Sequence, residues 1–151
     1  MPAHDFNEAS WIKLVFLLAD TQQWIDELSA TAFEQLPVEH KKKLFRPTYR
    51  LSPEAMAHIL ERHYYKIARH PGTGKFTLPV PAIIACIRDA GALDPVAVAG
   101  TLSQQRVLQM DSSIGFDKDG KETDCLTVLT NAGGHIITAF PGVLDAAIFK
   151  P

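Results

Sequence analysis

Apolar residues recur at helical spacing in the first third of the chain. Asn7 and Ser10 both have side chains that suit the N-cap of a helix. The spacing predicts a helix in this region, followed by a second short helix over residues 31–36 that Pro37 ends. The apolar positions are Trp11, Leu14, Val15, Leu18, Ile25 and Leu28, with Trp24 one position off the stripe.

A longer amphipathic helix is predicted over residues 52–69. Ser52 is a good N-cap, Pro53 suits the first turn, and Glu54 complements the positive end of the helix dipole. One face of this helix is apolar, and His63 lies on it. The opposite face carries polar groups at spacings of four, three and four, which are His58, Arg62, Tyr65 and Arg69.

The apolar period changes toward the C-terminus. A further helix is predicted over residues 81–90, and after it come short runs rich in β-branched and aromatic residues. Helices first and strands last predict an α+β fold, with N-terminal helices followed by a small twisted antiparallel sheet of three to five strands. The predicted strands cover residues 105–110, 113–116, 126–130 and 135–140, and strong turn sequences cover 117–120 and 131–134.

The length of the chain, 151 residues with 46% hydrophobic residues, is enough to bury one core. We expect a single compact unit, with residues 1–50 as an accessory helical segment and residues 51–151 as the α+β core. No apolar run reaches the roughly 18 residues that a membrane span needs. The N-terminus also lacks the basic start of a secretory signal. These patterns predict a small, soluble protein with a single core and no membrane partner.

The net charge of −2 conceals a strong asymmetry. Residues 41–75 contain nine basic and two acidic residues, so this segment carries +7, whereas the remaining six basic and fifteen acidic residues give −9. Three of the six histidines, His58, His63 and His70, fall in the positive segment. A local basic patch attracts polyanions even when the whole molecule is slightly acidic.

Several kinds of site are disfavoured by the motifs that the chain lacks. It has no HExxH, CxxC or GxSxG pattern, and Cys86 and Cys125 are too few for a disulfide framework. The run HPGTGK at residues 70–75 has its glycines two apart and follows a helix, so it does not fit a phosphate-binding loop. Paired carboxylates are missing from the basic segment. The sequence therefore predicts neither a metal nor a cofactor.

Metal-free cleavage of RNA needs only residue types that the basic segment contains. One group removes the 2′-hydroxyl proton, another protonates the leaving 5′-oxygen, and a cation steadies the phosphorane. Histidine suits the proton transfers because its unperturbed pKa is near 6.5, and lysine or arginine suits the phosphate. The candidates are His58, Arg62, His63, Arg69 and Lys75.

The order of these motifs resembles a known family. HILERH at residues 58–63 is followed by Gly74-Lys75-Phe76, a helix, IGFDKDGKETDCLTVL and finally GGHIITAFPG. This arrangement is similar to the C-terminal ribonuclease toxin domains of bacterial polymorphic and contact-dependent-inhibition systems. Those domains belong to the barnase-like, EndoU-like, colicin-like and RelE-like ribonucleases, and some are described as RNase A-like. The similarity covers roughly residues 52–142.

The resemblance implies a metal-independent RNA endonuclease that uses histidine acid–base chemistry. His58 and His63 match the helix histidines as general base and acid, in an order that the sequence leaves open. Lys75 would hold the scissile phosphate, and Thr138 would donate a hydrogen bond to it. The resemblance also implies RNA, with tRNA among the candidate targets, and a cognate immunity protein as partners in the bacterial cytoplasm. The implied substrate contacts are Arg62, Arg69 and Phe140, the last standing where relatives often have tyrosine.

Two other classes of function fit the same sequence. One is a non-catalytic module in which the +7 segment binds a nucleic acid or an acidic protein. The other is a structural or regulatory partner whose N-terminal helices form a dimer face. Intact RNA retained by the protein would indicate the first, and a concentration-dependent mass without salt-sensitive RNA affinity would indicate the second.

Overall fold

The helix that begins after Ser52 follows the local signals in its sequence. A computed structural model of the chain describes residues 7–34 and 49–144. In it the Ser52 hydroxyl accepts the Ala55 N–H at 3.0 Å, as expected of an N-cap. The described helices are α1 (Glu8–Glu34), α2 (Pro53–His63) and α3 (Val80–Ala90).

Seven short strands form two antiparallel sheets in the described part of the chain. The larger sheet has the order β2-β3-β6-β7, and the smaller one has the order β1-β4-β5. The α+β fold expected from the sequence, with helices at the N-terminal end, is confirmed. The strands are β1 (Lys75–Phe76), β2 (Val96–Ala97), β3 (Gln104–Gln109), β4 (Gly115–Phe116), β5 (Glu122–Thr123), β6 (Cys125–Thr130) and β7 (Ile136–Pro141).

The start of α1 and the extent of α3 agree with the sequence prediction. The Asn7 side chain accepts the Ser10 N–H at 3.1 Å, so Asn7 caps α1. A separate short helix is predicted over residues 31–36, but its first four residues belong to α1, which continues to Glu34. Its last two residues lie outside the described part of the chain.

Helix α2 ends six residues earlier than the predicted end at residue 69. Tyr64 has extended dihedrals and forms a parallel bridge with Phe76, and the Tyr65 N–H donates to the Phe76 carbonyl at 3.1 Å. Because Tyr64 pairs with strand β1, the chain leaves the helical conformation there, and α2 ends at His63. Tyr65 and Arg69 therefore lie beyond the helix, and the predicted polar face shared by four residues is wrong.

The predicted single meander is also wrong at one strand. Gly115 and Phe116 pair with Phe76 and Lys75 in the smaller sheet instead of joining the larger one. Gly115 makes this approach possible, because a Cβ there would lie 2.1 Å from the Lys75 carbonyl oxygen. Strands of two residues carry no readable alternation, so their partners are set by tertiary contacts.

The core lies between the helices and one face of the larger sheet. Helix α1 packs on α2 and contributes Val15 to the same buried cluster as the sheet residues Leu126 and Val128. Tyr64 is also fully buried, and its hydroxyl donates to Glu8 at 2.6 Å. The Lys66 ammonium group holds the other oxygen of Glu8 at 3.1 Å. These contacts anchor the start of α1 to the chain that follows α2.

Candidate active site

His63 is the last residue of α2 and lies on its inner side. Its side chain is 8% exposed, in keeping with its place on the apolar stripe of the sequence. Nδ1 lies 3.0 Å from the Gly74 carbonyl oxygen. Because a carbonyl oxygen only accepts, Nδ1 carries the proton, and in the neutral ring Nε2 is then an unprotonated acceptor. The turn before β1 thus sets the tautomer of this histidine.

The surroundings of His63 keep its ring uncharged at neutral pH. Burial lowers its pKa from 6.5 to about 4, and the bond to Gly74 opposes that shift. Positive charge from His58, Lys75 and Arg62 lowers the pKa further. The imidazole is therefore a neutral proton acceptor in a positive local potential.

A cleft of about 480 Å³ opens beside His63. Three chain segments wall it: the turn at residues 72–74, the turn at residues 117–119 and the end of β7 with residues 142–144. This volume is within the range of ordinary small-molecule sites, about 300–1,000 Å³. We call this space the His63 cleft. Its lining residues are His63, Gly72, Thr73, Gly74, Asp117, Lys118, Asp119, Phe140, Pro141, Val143 and Leu144.

Two local features hold the walls together. The Asp117 carboxylate accepts the N–H groups of Asp119 at 2.9 Å and Lys121 at 3.0 Å, which stabilises the turn. Gly142 has a positive φ of 99° and lies so close to this turn that a Cβ would be 2.9 Å from the Cβ of Asp117. The buried Thr127 hydroxyl donates to the Gly142 carbonyl at 2.7 Å. The chain after β7 is thereby held against the turn.

Phe140 is the other predicted site residue that lines the His63 cleft. It is half-buried, and its ring centroid lies 5.8 Å from that of His63 at an angle of 40°. The two rings form a continuous aromatic surface at one side of the cleft. An exposed aromatic edge of this kind suits contact with a nucleic-acid base.

The predicted histidine and arginines on α2 and beyond it do not line the cleft. His58 lies on the outer side of α2 and is exposed overall. Its ring is partly desolvated, and this desolvation together with the neighbouring Arg62 lowers its pKa. The Arg62 side chain is exposed as well. Arg69 lies after the helix and pairs with Glu61 at 3.4 Å, and His70 is 3.6 Å from the same carboxylate. Arg62 and Arg69 form an exposed basic surface that Glu61 partly neutralises.

Lys75 and Thr138 also lie outside the lining of the cleft. The Lys75 ammonium group donates to the carbonyls of Arg62 at 2.6 Å and Ile67 at 3.4 Å, so it caps the C-terminus of α2. Burial lowers the pKa of Lys75. Thr138 pairs with Leu129 in the larger sheet, and its buried hydroxyl oxygen has no hydrogen-bond partner among the described atoms. The roles assigned to both residues stay predictions.

Sequence reasoning missed the turn that forms one wall. The Asp-Lys-Asp-Gly sequence at residues 117–120 predicts a solvated hairpin turn, and nothing local shows that it approaches α2. The two glycines that allow the approach, Gly74 and Gly142, are the available signal, because each faces backbone or Asp117 atoms within 3.1 Å of a Cβ position. Lys118 is part of this wall.

No metal centre is formed by the described residues, since they contain no group of three or more His, Cys, Asp or Glu side chains placed to hold an ion. Over residues 7–34 and 49–144, no helix is both long and apolar enough to cross a membrane. No protein-family model, curated protein or solved structure matches the chain.

Proposed function

We propose that the protein is a metal-independent endoribonuclease of the toxin type and that it cleaves RNA in the His63 cleft. The hydrogen bond from His63 Nδ1 to the Gly74 carbonyl carries the proposal, because it leaves Nε2 as the proton acceptor of a ring that lines the cleft. A general base of this kind contributes typically 10²- to 10⁴-fold to a proton-transfer step. His63 therefore has the role of general base.

The reaction uses the 2′-hydroxyl of the RNA as its own nucleophile. Nε2 of His63 takes the 2′-hydroxyl proton, the 2′-oxygen attacks the adjacent phosphorus, and the bond from phosphorus to the 5′-oxygen breaks. Water that enters the cleft protonates the leaving 5′-oxygen, and His63 then releases its proton to solvent. The products are a 2′,3′-cyclic phosphate and a 5′-hydroxyl end.

The charges around His63 favour a phosphate on its side of the cleft. Lys75 and Arg62 act on the ring as positive charges. A bound phosphate opposes this positive potential and raises the pKa of His63, which strengthens the base when substrate is present. Asp117 and Asp119 repel a phosphate from their own wall.

The test is RNA cleavage in EDTA by the wild type and two single variants. His63→Ala removes the proposed base and is expected to slow cleavage at least about 100-fold. His58→Ala is the matched control on the same helix, and we expect its rate to stay within about threefold because His58 does not line the cleft. Equal loss in the two variants, or full activity of His63→Ala, would contradict the assignment of His63.

A non-catalytic nucleic-acid-binding module is the second candidate function. The exposed basic residues at the end of α2 and beyond it favour this function, because Arg62, Lys66 and Arg69 need no cleft to contact a phosphate backbone. Such a module retains RNA intact, with an affinity that falls steeply as salt rises. A filter-binding assay on uncleaved RNA separates the two candidates.

A ribonuclease of this type also needs a partner that protects the cell that makes it. We place a cognate immunity protein over the His63 cleft, with acidic groups facing the basic surface beside it. The RNA substrate, with tRNA among the candidates, and the immunity protein both belong to the bacterial cytoplasm of the producing or the target cell. Delivery as a secreted effector is part of the same proposal.

A further inference from the structure

Helix α1 is apolar on two opposite sides. Its inner side packs on the core through Val15, with Trp11 and Phe16 partly buried beside it. Its outer side leaves large apolar side chains in solvent, with exposed fractions of 49% for Leu14, 61% for Leu17 and 66% for Trp24. A helix that is apolar all round is normally buried all round. Among residues 7–34 and 49–144, nothing covers the outer side of α1.

The outer residues follow the spacing of a coiled-coil seam. Leu14, Leu17, Thr21 and Trp24 are separated by three, four and three residues, as the a and d positions of a heptad are. One edge of the seam is lined by Lys13, Asp20 and Glu27, which are spaced seven residues apart. Seam and edge are therefore in register over about three turns of the helix.

We propose that the outer side of α1 binds a second copy of this chain as an antiparallel helix pair. In this pair a twofold axis passes close to Asp20. Leu14 then lies opposite Trp24 of the second copy, and Leu17 lies opposite Thr21 of the second copy. The same axis sets Lys13 beside Glu27 of the second copy, because these residues lie equally far before and after Asp20. Each dimer gains two ion pairs in this way.

The charge pattern selects the antiparallel arrangement. In a parallel pair, each residue at the Lys13 edge faces the position five residues further along the second helix, which for Lys13 is the apolar Leu18. No ion pair forms there. The antiparallel pair brings one unfavourable contact, Asp20 against Asp20 of the second copy, which limits its affinity.

The contacts of α1 with the other described residues leave this side accessible. Glu8 is held by Tyr64 at 2.6 Å and by Lys66 at 3.1 Å, so the helix is anchored through its inner side. The seam points away from these contacts by about half a turn. The proposal is independent of the ribonuclease assignment, since none of its residues lines the His63 cleft.

Sedimentation equilibrium of the full chain tests the pairing. The wild type is expected to show a concentration-dependent monomer–dimer equilibrium, and Leu17→Glu is expected to be monomeric while its circular dichroism spectrum is unchanged. Glu27→Lys should weaken dimerisation roughly tenfold because it replaces two attractions by two repulsions. The reversal pair Lys13→Glu with Glu27→Lys should restore wild-type affinity. Asp20→Asn should tighten the dimer roughly threefold.

Three outcomes would overturn the proposal. A wild-type chain that stays monomeric up to millimolar concentration has no second copy on this surface. A dimer that Leu17→Glu leaves intact uses another surface. A double charge reversal that dimerises no better than Glu27→Lys alone rules out the antiparallel register.

Discussion

His63 is buried as a neutral ring, and this links the candidate site to the stability of the fold. Its pKa is about 4 in the folded protein and 6.5 as its ordinary value, so the unfolded chain binds more protons between these two pH values. The free energy of unfolding therefore falls as the pH drops from about 7 toward 4. Burial supplies the shift, and the Gly74 carbonyl only moderates it. The full effect is about 3 kcal/mol.

A His63→Asn variant isolates this contribution. Asparagine keeps a donor for the Gly74 carbonyl but does not titrate. Between pH 7 and pH 4.5, the free energy of unfolding of the variant should therefore fall by about 2–3 kcal/mol less than that of the wild type. Urea unfolding of both proteins at the two pH values measures the difference. Parallel losses would show that His63 is solvated and titrates normally in the folded protein.

The end of α2 is the element on which the candidate site depends. The Lys75 ammonium group bonds the carbonyls of Arg62 and Ile67, and the Thr73 hydroxyl also donates to the Arg62 carbonyl. These bonds join the helix terminus to the turn that carries Gly74. In this geometry Lys75 holds the end of α2 next to His63, and its role as a phosphate ligand stays a prediction.

A Lys75→Met variant separates the two roles. Methionine keeps much of the apolar stem but removes the donors, so the free energy of unfolding should fall by about 1–3 kcal/mol. Lys66→Met is the matched control, since Lys66 is half-exposed and solvent screens its pair with Glu8. Urea unfolding compares the two. A Lys75→Met protein of wild-type stability with greatly reduced RNA cleavage would favour the phosphate-binding role.

Local signals in the sequence predict where the helices begin, but they do not predict which elements pair with one another. The caps of α1 and α2 depend on Asn7 and Ser52, whose side chains act within three residues. The end of α2 depends on Phe76, which lies far along the chain, and no local pattern contains that contact.

The candidate site, too, could be predicted only in part from the sequence. His63 was predictable because its position on the apolar stripe places it inside and its residue type can accept a proton. Its hydrogen bond to Gly74 and the wall formed by residues 117–119 were not, because both depend on how the turns pack. The outward position of His58 was predictable, because the helical period places it opposite the apolar stripe.

The distribution of charge over the whole molecule fits a polyanionic substrate. Within the +7 segment, the described residues 49–75 contain five basic and two acidic residues, a net charge of +3, and they flank His63 along the chain. An open cleft beside a basic surface allows a phosphate backbone to lie across the protein while one ribose enters the cleft. The outer side of α1 is separate from this surface, so the proposed dimer leaves both copies free to bind RNA.

The chemistry proposed for the His63 cleft requires the 2′-hydroxyl of the substrate. The most direct measurement uses a DNA oligonucleotide with one ribonucleotide, incubated with the wild type in EDTA, beside the same oligonucleotide with a 2′-O-methyl group at that position. We expect a single cut after the ribonucleotide that leaves a 2′,3′-cyclic phosphate, no cut in the methylated substrate, and a loss of at least about 100-fold in His63→Ala. Equal cleavage of both substrates, or a cut that His63→Ala makes as fast as the wild type, would contradict the proposed chemistry.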